Sequence, residues 1–339
     1  HLVKELLDQE RQVICLLRDG NEDRLKACFR EYFDPEYVNT VWDKVRVISG
    51  NIREENFGME EQEFHHLAGL IEDIYHCAAD VRHYAFDEQD YFKTNVEGTR
   101  HGLKLAKISG AAFYHMSTCS VAGNRLKNSL GSDPCPYNEL DYDIGQDWES
   151  NVYVKSKFLA EELVRKAAKE GMKAKVFRLG RLVGRASDGR FQRNPDTNSF
   201  YLHVKGIRLL GAVPKELENL PIDLMPIDIA AKEVLALREG RHFVYHIMSH
   251  VPPKMMDVLK SIDDSIEAVE NVVWNRIFGE RMSEMPKELL PFLMELRMVG
   301  KVGGTPIEVT NEITVKELEK LGFSLEIPGP EQLMKGFRG

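Results

Sequence analysis

Short apolar runs alternate along this chain with longer stretches in which apolar residues recur every three or four positions. The short runs predict β-strands, and the periodic stretches predict amphipathic α-helices. The predicted strands are residues 12–18, 45–50, 74–79, 112–121 and 174–179, and the helices between them include 91–108 and 153–170. Strands that alternate with helices in this way pair in parallel and carry helices on both faces. The pattern therefore predicts an α/β fold with a Rossmann-like doubly wound parallel sheet.

The alternation ends near Arg185, where a polar loop leads into a mainly helical remainder with isolated strands such as RHFVYHIMS. A break of this kind often marks a smaller substrate region attached to the sheet. We expect residues 1–185, with 221–250 returning to them, to form the Rossmann-like domain. Residues 186–220 and 251–339 are expected to form a mainly helical substrate-binding or lid region.

The first residues predict a helix, with Leu2, Val3, Leu6 and Leu7 on one face, that leads into the strand at 12–18. In a doubly wound fold, the helix before the second strand follows the first strand and a glycine-rich turn. The N-terminus of that helix binds the pyrophosphate of a dinucleotide. We therefore expect the first strand and the glycine-rich turn to lie upstream of His1.

The amino-acid composition of the chain argues against some classes of partner and site. The 339 residues are 43% hydrophobic and 29% charged, and the formal charge of −9 disfavours nucleic acid as a partner. No run reaches the roughly 18 apolar residues of a membrane span, so no membrane partner is expected. The cysteines lack CxxC or metal-type spacing, which predicts reduced thiols, no metal site and a cytoplasmic location; they are Cys15, Cys28, Cys77, Cys119 and Cys135.

Arg18 stands at the end of the second expected strand of the fold. This position meets the adenosine ribose, where an arginine accepts a 2′-phosphate and a carboxylate binds a 2′-hydroxyl. Arg18 therefore favours NADP(H), and the first domain is expected to bind it. Asp19 follows directly, so a shift of one residue would reverse the preference.

Candidate catalytic residues lie at the carboxyl ends of later strands. Thr118 ends the strand of HMSTCSVAG, and Tyr153 and Lys157 share one face of the following helix, YVKSKFLAEELV. A lysine ammonium beside a phenol is expected to lower the tyrosine pKa. With a hydrogen bond from Thr118, the tyrosine would stabilise charge on a substrate oxygen as hydride arrives at carbon. Tyr201 and Lys205 repeat the spacing without such context and are expected to be surface or lid residues.

The chain resembles the extended short-chain dehydrogenases/reductases in STCSVAG, YVKSK, NVEGT, HCAADV and FRLGRLVG. More narrowly, VICLLRDGNEDRL, LLGAVP and LPIDLMPIDIAAKEVLAL resemble terminal thioester reductase domains of nonribosomal peptide synthetases. Carboxylic acid reductases and aminoadipate reductases are close relatives of these domains. The resemblance is specific in the first two-thirds of the chain and loose after about Val251.

The resemblance implies NADPH-dependent reduction of a peptidyl or aminoacyl thioester to an aldehyde, with a second cycle giving an alcohol. The acyl group would be bound as a thioester to the phosphopantetheine arm of a carrier domain in a larger synthetase. The implied catalytic residues are Thr118, Tyr153 and Lys157. The implied cofactor-binding residues are Arg18, Asn51 and Ile52 near the adenosine, Cys77, Ala78 and Ala79 along the cofactor, Asn95, Ser117, Tyr153 and Lys157, and Leu179 and Gly180 near the nicotinamide. Asn51 stands where an aspartate is more usual.

Residues 165–193 hold ten basic side chains against Glu170 and Asp188. Such a cluster would attract an acidic carrier domain, or it is a solvated surface spread over several elements.

Other functions remain open. A nucleotide-sugar epimerase or dehydratase and a fatty acyl-CoA reductase use similar residues. A cofactor-sensing regulator of the same fold would not need Tyr153 or Lys157.

Overall fold

The computed structural model describes residues 1–82, 87–129, 131, 133–297, 304–324 and 326–338. The α-helices there are α1 (Leu2–Asp8), α2 (Glu22–Tyr32), α3 (Pro35–Val41), α4 (Glu61–Ala68), α5 (Glu88–Tyr91), α6 (Gly98–Ser109), α7 (Val152–Lys169), α8 (Ser199–Leu210), α9 (Ile227–Leu237), α10 (Met255–Ile262), α11 (Asn271–Arg281), α12 (Leu290–Arg297), α13 (Glu312–Lys320) and α14 (Pro330–Leu333). The strands are β1 (Val13–Leu17), β2 (Val45–Ser49), β3 (Asp73–His76), β4 (Ala112–Thr118), β5 (Cys135–Tyr137), β6 (Ala174–Leu179), β7 (Leu182–Val183), β8 (Ala212–Pro214), β9 (Met225–Pro226), β10 (Val244–Ile247), β11 (Glu267–Val269) and β12 (Ile307–Val309).

The predicted α/β class is confirmed, because the central strands pair in parallel. Four of them form a sheet in the order β10-β6-β4-β3, and β1 pairs with β2. Within the ranges given above, β1 and β3 are not paired with each other. In the doubly wound order the first strand lies between the second and the fourth, and β1 and β3 stand at those two positions here. The expected upstream strand and glycine-rich turn stay a prediction.

Helices cover both faces of the four-stranded sheet. On one face, Phe113 and Val176 pack against Leu103 of α6 and Val164 of α7. On the other face, apolar residues of the strands pack against α9, with Tyr114, Phe177, Tyr245, Ile229 and Val234 in one buried cluster. The sheet therefore has the buried centre that parallel strands require.

Two strands end earlier than the sequence predicted. β3 ends at His76 rather than at residue 79, and β4 ends at Thr118 rather than at residue 121. At the end of β4 the Thr118 hydroxyl accepts a hydrogen bond from the Ser120 backbone N–H at 3.2 Å, and Cys119–Ala122 form a 3₁₀ turn. A threonine that bonds its own backbone in this way diverts the chain from the strand.

The helix predicted at 91–108 runs without interruption from Glu88 to Ser109, and it contains a π-helical segment, Phe92–Glu97. π-Helical turns are rare and often lie at functional sites. Asn95 lies within this segment and is buried. The π turn therefore marks one of the residues that the resemblance assigns to the cofactor site.

A second buried cluster lies in the C-terminal half, with Phe200, Val204, Val258, Trp274 and Leu293 among its members. It draws on α8, α10, α11 and α12 but on none of the strands of the four-stranded sheet. The division into a Rossmann-like domain and a substrate region stays a prediction, and this separate cluster supports it.

Residues 304–324 depart from that division because they pack on the sheet side. β12 pairs with β5, and the Thr314 hydroxyl of α13 accepts a hydrogen bond from the His246 backbone N–H of β10 at 2.9 Å. Leu318 packs in the same buried cluster as Phe177 of β6. In the portion of the chain that the structure describes, no helix is long and apolar enough to cross a membrane.

Candidate active site

The structure brings Thr118, Tyr153 and Lys157 together at the carboxyl edge of the sheet, and their catalytic role stays a prediction. Thr118 is the last residue of β4; its hydroxyl donates to the Ser120 hydroxyl at 3.2 Å and acts to lower the pKa of the nearby Tyr153 phenol. Tyr153 stands in the first turn of α7, which the Asn151 side chain caps by accepting a hydrogen bond from the Val154 backbone N–H. Lys157 follows one turn later, and its Nζ donates to the Met116 carbonyl at 2.7 Å.

The electrostatics of this group differ from the sequence-based expectation. Lys157 was expected to lower the pKa of Tyr153, but burial raises that pKa, and the Thr118 hydroxyl offsets only part of the rise. The Lys157 ammonium itself is hydrogen-bonded to the strand backbone. A phenol with a raised pKa keeps its proton at neutral pH, so Tyr153 is suited to donate a proton to substrate.

Lys157 is only 3% exposed, which makes its charge costly. Burial lowers the pKa of Lys157 to about 8, and the negative charge of Glu161 acts in the opposite direction. The ammonium is therefore poised close to neutral pH, where modest changes in its surroundings alter its charge.

Glu161 and Arg178 form a fully buried ion pair beside the candidate catalytic residues, and this pair was not predicted from the sequence patterns. Arg178 Nη2 lies 3.0 Å from Glu161 Oε2, and both side chains are 0% exposed. The Ser117 hydroxyl donates to Glu161 Oε1 at 2.7 Å. The resemblance assigned Ser117 to the cofactor. That assignment stays a prediction, and the structure shows that the hydroxyl of Ser117 is directed to Glu161.

Asn95 connects the π turn to the segment that follows β3. Its side chain accepts a hydrogen bond from the Asp80 backbone N–H at 2.7 Å and donates to the Asp80 carbonyl at 3.0 Å. It also donates to the Ser156 hydroxyl of α7 at 2.8 Å. Asn95 thereby holds the end of the Cys77–Ala79 segment against the helix that carries Tyr153.

The residues expected along a dinucleotide share small side chains at the carboxyl ends of strands. Cys77 and Ala78 are exposed after β3. Gly180 follows β6, where an added Cβ would lie 1.9 Å from Asp223 Oδ2, so only glycine fits. Leu179 precedes it and is paired in register with Thr118. Such an open edge, lined by small groups, fits a flat extended cofactor.

The residues expected near the adenosine lie at the ends of β1 and β2. Arg18 is exposed and, in the described parts of the chain, makes no hydrogen bond or ion pair. Asp19 accepts hydrogen bonds from the Asn21 backbone N–H and from Arg24. Asn51 donates to Glu54 at 2.7 Å. The Ile52 carbonyl is bonded to His101 at 2.8 Å, and its side chain packs in the cluster that contains Phe57.

In the second tyrosine–lysine pair, both side chains are engaged with residues other than the candidate catalytic ones at the sheet edge. Lys205 forms an ion pair with Asp196 at 2.8 Å, and the Tyr201 ring packs against Phe191 and Phe337.

The basic residues between 165 and 193 do not form one patch. Arg178 is buried, and the Arg165 guanidinium lies 4.3 Å from the centroid of the Tyr142 ring. Arg190 and Arg193 bind Glu31 at the C-terminal end of α2, through its carbonyl and its carboxylate respectively.

A family model described as male sterility protein, an NAD-binding family, matches residues 1–234. The chain belongs to this family. Nonribosomal peptide synthetase asaC from Aspergillus flavus is 29% identical over 323 residues, which cover 88% of this chain and 30% of the relative. L-2-aminoadipate reductase from Schizosaccharomyces pombe is 28% identical over 260 residues, covering 70% of this chain and 17% of the relative. The chain thus spans less than a third of the length of these two curated relatives.

Among solved structures, this member of the male sterility protein family is similar to a thiolation-reductase di-domain from an archaeal nonribosomal peptide synthetase. The TM-score is 0.85 at 29% identity, and the match covers 99% of this chain and 71% of that chain. The similarity includes most of residues 235–339, which lie beyond the residues that the family model matches.

Proposed function

We propose that this chain reduces a carrier-bound peptidyl or aminoacyl thioester and releases the acyl group as an aldehyde, with a second cycle giving the alcohol. The observation that carries the proposal is that Thr118, Tyr153 and Lys157 lie together at the sheet edge. It is supported by the similarity to a thiolation-reductase di-domain, which covers 99% of this chain. NADPH is the proposed cofactor, and when bound it would supply the hydride.

Each catalytic side chain has a separate task. As hydride reaches the thioester carbonyl carbon, the C=O π electrons move to oxygen, and that oxygen takes the Tyr153 proton. Thr118 donates a second hydrogen bond to the same oxygen, and the buried Lys157 ammonium stabilises the phenolate that remains. The resulting hemithioacetal then returns its hydroxyl proton to the Tyr153 phenolate as the C–S bond breaks, so that the aldehyde forms and the arm leaves as a thiolate.

The partner proposed is a phosphopantetheine-bearing carrier domain within a larger synthetase. It is supported by the similarity to a synthetase and to a di-domain that contains a thiolation domain. A cytoplasmic location accords with that proposal. Substrate selectivity is proposed to lie in the helices that form the second buried cluster, α8 and those after Val251.

The proposal is tested by mixing the purified protein with NADPH and an aminoacyl-pantetheine thioester and following absorbance at the nicotinamide band. We expect thioester-dependent NADPH oxidation with an aldehyde or alcohol product, and none with the matching free acid. Oxidation of NADPH without a reduced acyl product, or turnover of a nucleotide sugar instead, would overturn the proposal.

NADPH selectivity is proposed to rest on Arg18. Its guanidinium has no acidic partner in the described parts of the chain, whereas Asp19 is occupied by Arg24 at 3.0 Å. A charge-assisted hydrogen bond contributes about 1.5–3 kcal/mol. Replacing Arg18 by Ala should therefore raise the KM for NADPH roughly 10- to 100-fold while leaving the KM for NADH unchanged. Arg46→Ala, a change at an exposed arginine of β2, is the matched control.

Steady-state kinetics with both cofactors check this prediction. An equal rise in both KM values would show that Arg18 does not read the 2′-phosphate. If Arg18→Ala still preferred NADPH as strongly as the parent does, the 2′-phosphate would have to be recognised by another residue.

A further inference from the structure

A row of three polar side chains crosses the sheet one residue before the catalytic threonine. Ser117 of β4 is paired in register with Arg178 of β6, which is paired with His246 of β10. All three side chains are buried, on the face that α7 covers. Arg178 Nη1 lies 3.1 Å from His246 Nε2, and Nε lies 3.0 Å from Glu161 Oε1. Among the described residues of α7, Glu161 is the one whose side chain is hydrogen-bonded to this row.

Glu161 also shares a helix face with the catalytic residues. Tyr153, Lys157 and Glu161 follow one another at intervals of four residues, so they lie along one side of α7. Lys157 is tied to the Met116 carbonyl and Glu161 to the neighbouring Ser117 hydroxyl. These two contacts join α7 to the strand that ends in Thr118.

We propose that Glu161 is a positioning residue for the reduction: through Ser117 and Arg178 it fixes α7 against β4 and β6, so that Tyr153 meets Thr118. This inference rests on the proposed function. The geometric need is strict, because a displacement of about 1 Å at a reacting group can cost 100-fold in rate.

Glu161 has a second effect, on the charge of Lys157. The groups that act on the ammonium come from every element packed around it: Glu161 on α7, His76 and Cys77 at the end of β3, and His115 on β4. Burial lowers the pKa of His76 to about 3 and that of His115 well below its ordinary value, so both rings are neutral. Burial raises the pKa of the Cys77 thiol to about 11, so that group is neutral as well, and among these groups Glu161 supplies the negative charge that keeps Lys157 protonated.

The charge of Lys157 determines how the rate of reduction is expected to depend on pH. Reduction needs Lys157 charged, so the rate falls as pH rises through the pKa of Lys157, which burial places at about 8. Without the Glu161 charge this pKa would be lower still. The alkaline limb of the pH profile would then move to lower pH.

Three variants separate the two effects. Glu161→Gln removes the charge, Ser117→Ala removes the contact with β4 but leaves the ion pair, and Glu161→Asp retains the charge. We expect Glu161→Gln to lower kcat at least about tenfold, with unchanged KM for NADPH and an alkaline limb at lower pH. Ser117→Ala should lower kcat without moving that limb, and Glu161→Asp should restore the limb.

The matched control is Glu162→Gln, which makes the same chemical change at the next, exposed residue of α7. It should leave kcat and the pH profile unchanged. If Glu161→Gln does not fold, Ser117→Ala and Glu161→Asp still decide the question. The proposal would be overturned if Ser117→Ala kept the parental kcat and Glu161→Gln kept the parental pH profile. It would also be overturned if the loss of activity in these variants were fully explained by a smaller fraction of folded protein.

A measurement without turnover distinguishes this inference from the proposed function. NMR titration of the Lys157 Nζ, assigned from the signal lost in Lys157→Met, should show a lower pKa in Glu161→Gln and an unchanged pKa in Glu162→Gln. If the parent protein reduces no thioester, the proposed function fails while this titration still reports on Glu161. Equal Lys157 titration in the parent and in Glu161→Gln would remove the assigned effect on charge.

Discussion

Replacing Tyr153 by Phe is expected to lower kcat about 10²- to 10⁴-fold, the range over which a positioned proton donor contributes. Phenylalanine retains the ring at the start of α7 and removes only the hydroxyl that Thr118 reaches. The oxyanion formed at the substrate carbonyl then lacks its proton. NADPH affinity, measured by fluorescence titration, should change little, because the rest of the sheet edge is intact.

Tyr201→Phe is the control for this experiment, since Tyr201 lies at the same spacing from a lysine but packs against Phe191 and Phe337. It should leave kcat near the parent value. A Tyr153→Phe variant that turns over thioester at the parent rate would remove Tyr153 from the reaction. Loss of NADPH binding in that variant would indicate a cofactor-binding role instead.

Much of the fold was predictable because parallel strands are short apolar runs separated by periodic helices. The strand at residues 174–179 agrees with β6, and the helix at 153–170 agrees with α7 to within one residue at each end. The strand ends after His76 and Thr118 were less predictable. There the side chain of Thr118, rather than hydrophobic periodicity, determines where pairing stops.

The sequence placed Thr118, Tyr153 and Lys157 near one another but did not show their electrostatics. Residue spacing puts Tyr153 and Lys157 on one helix face, yet it does not show that the ammonium is hydrogen-bonded to the Met116 carbonyl, a contact that depends on how α7 lies on β4. The pKa of Tyr153 is raised by burial, and the extent of burial likewise required the structure.

The Glu161–Arg178 pair left a signal in the sequence. An arginine in the middle of the apolar run KVFRLG has to find a partner when the strand is buried. Glu161 continues the four-residue spacing from Tyr153 and Lys157, which indicates a carboxylate on the same buried face. Seventeen residues separate the two side chains, and only the packing of α7 on β6 shows that they meet.

The largest expected effect on stability comes from Arg178→Met. The change leaves the carboxylate of Glu161 buried, with the Ser117 hydroxyl at 2.7 Å and the more distant Arg165 guanidinium at 3.9 Å as remaining partners. Removing one partner of a buried ion pair typically costs about 3–5 kcal/mol. We expect urea unfolding at neutral pH to show a loss of this size. Arg24→Met, at an exposed pair with Asp19, should cost at most about 1 kcal/mol.

The double variant Arg178→Met/Glu161→Leu should recover much of that loss, since replacing a whole buried pair by apolar residues is often close to neutral. The pH dependence gives a further check. Burial acts to raise the pKa of Glu161, but Arg178 and Ser117 hold it below its ordinary value of 4.5. The stabilisation from the pair is therefore present above that value and is lost as pH falls through the lower folded-state pKa. The stability gap between the parent and Arg178→Met should narrow on acidification, and a gap that stays constant from neutral to acidic pH would show that this charge pair is not its origin.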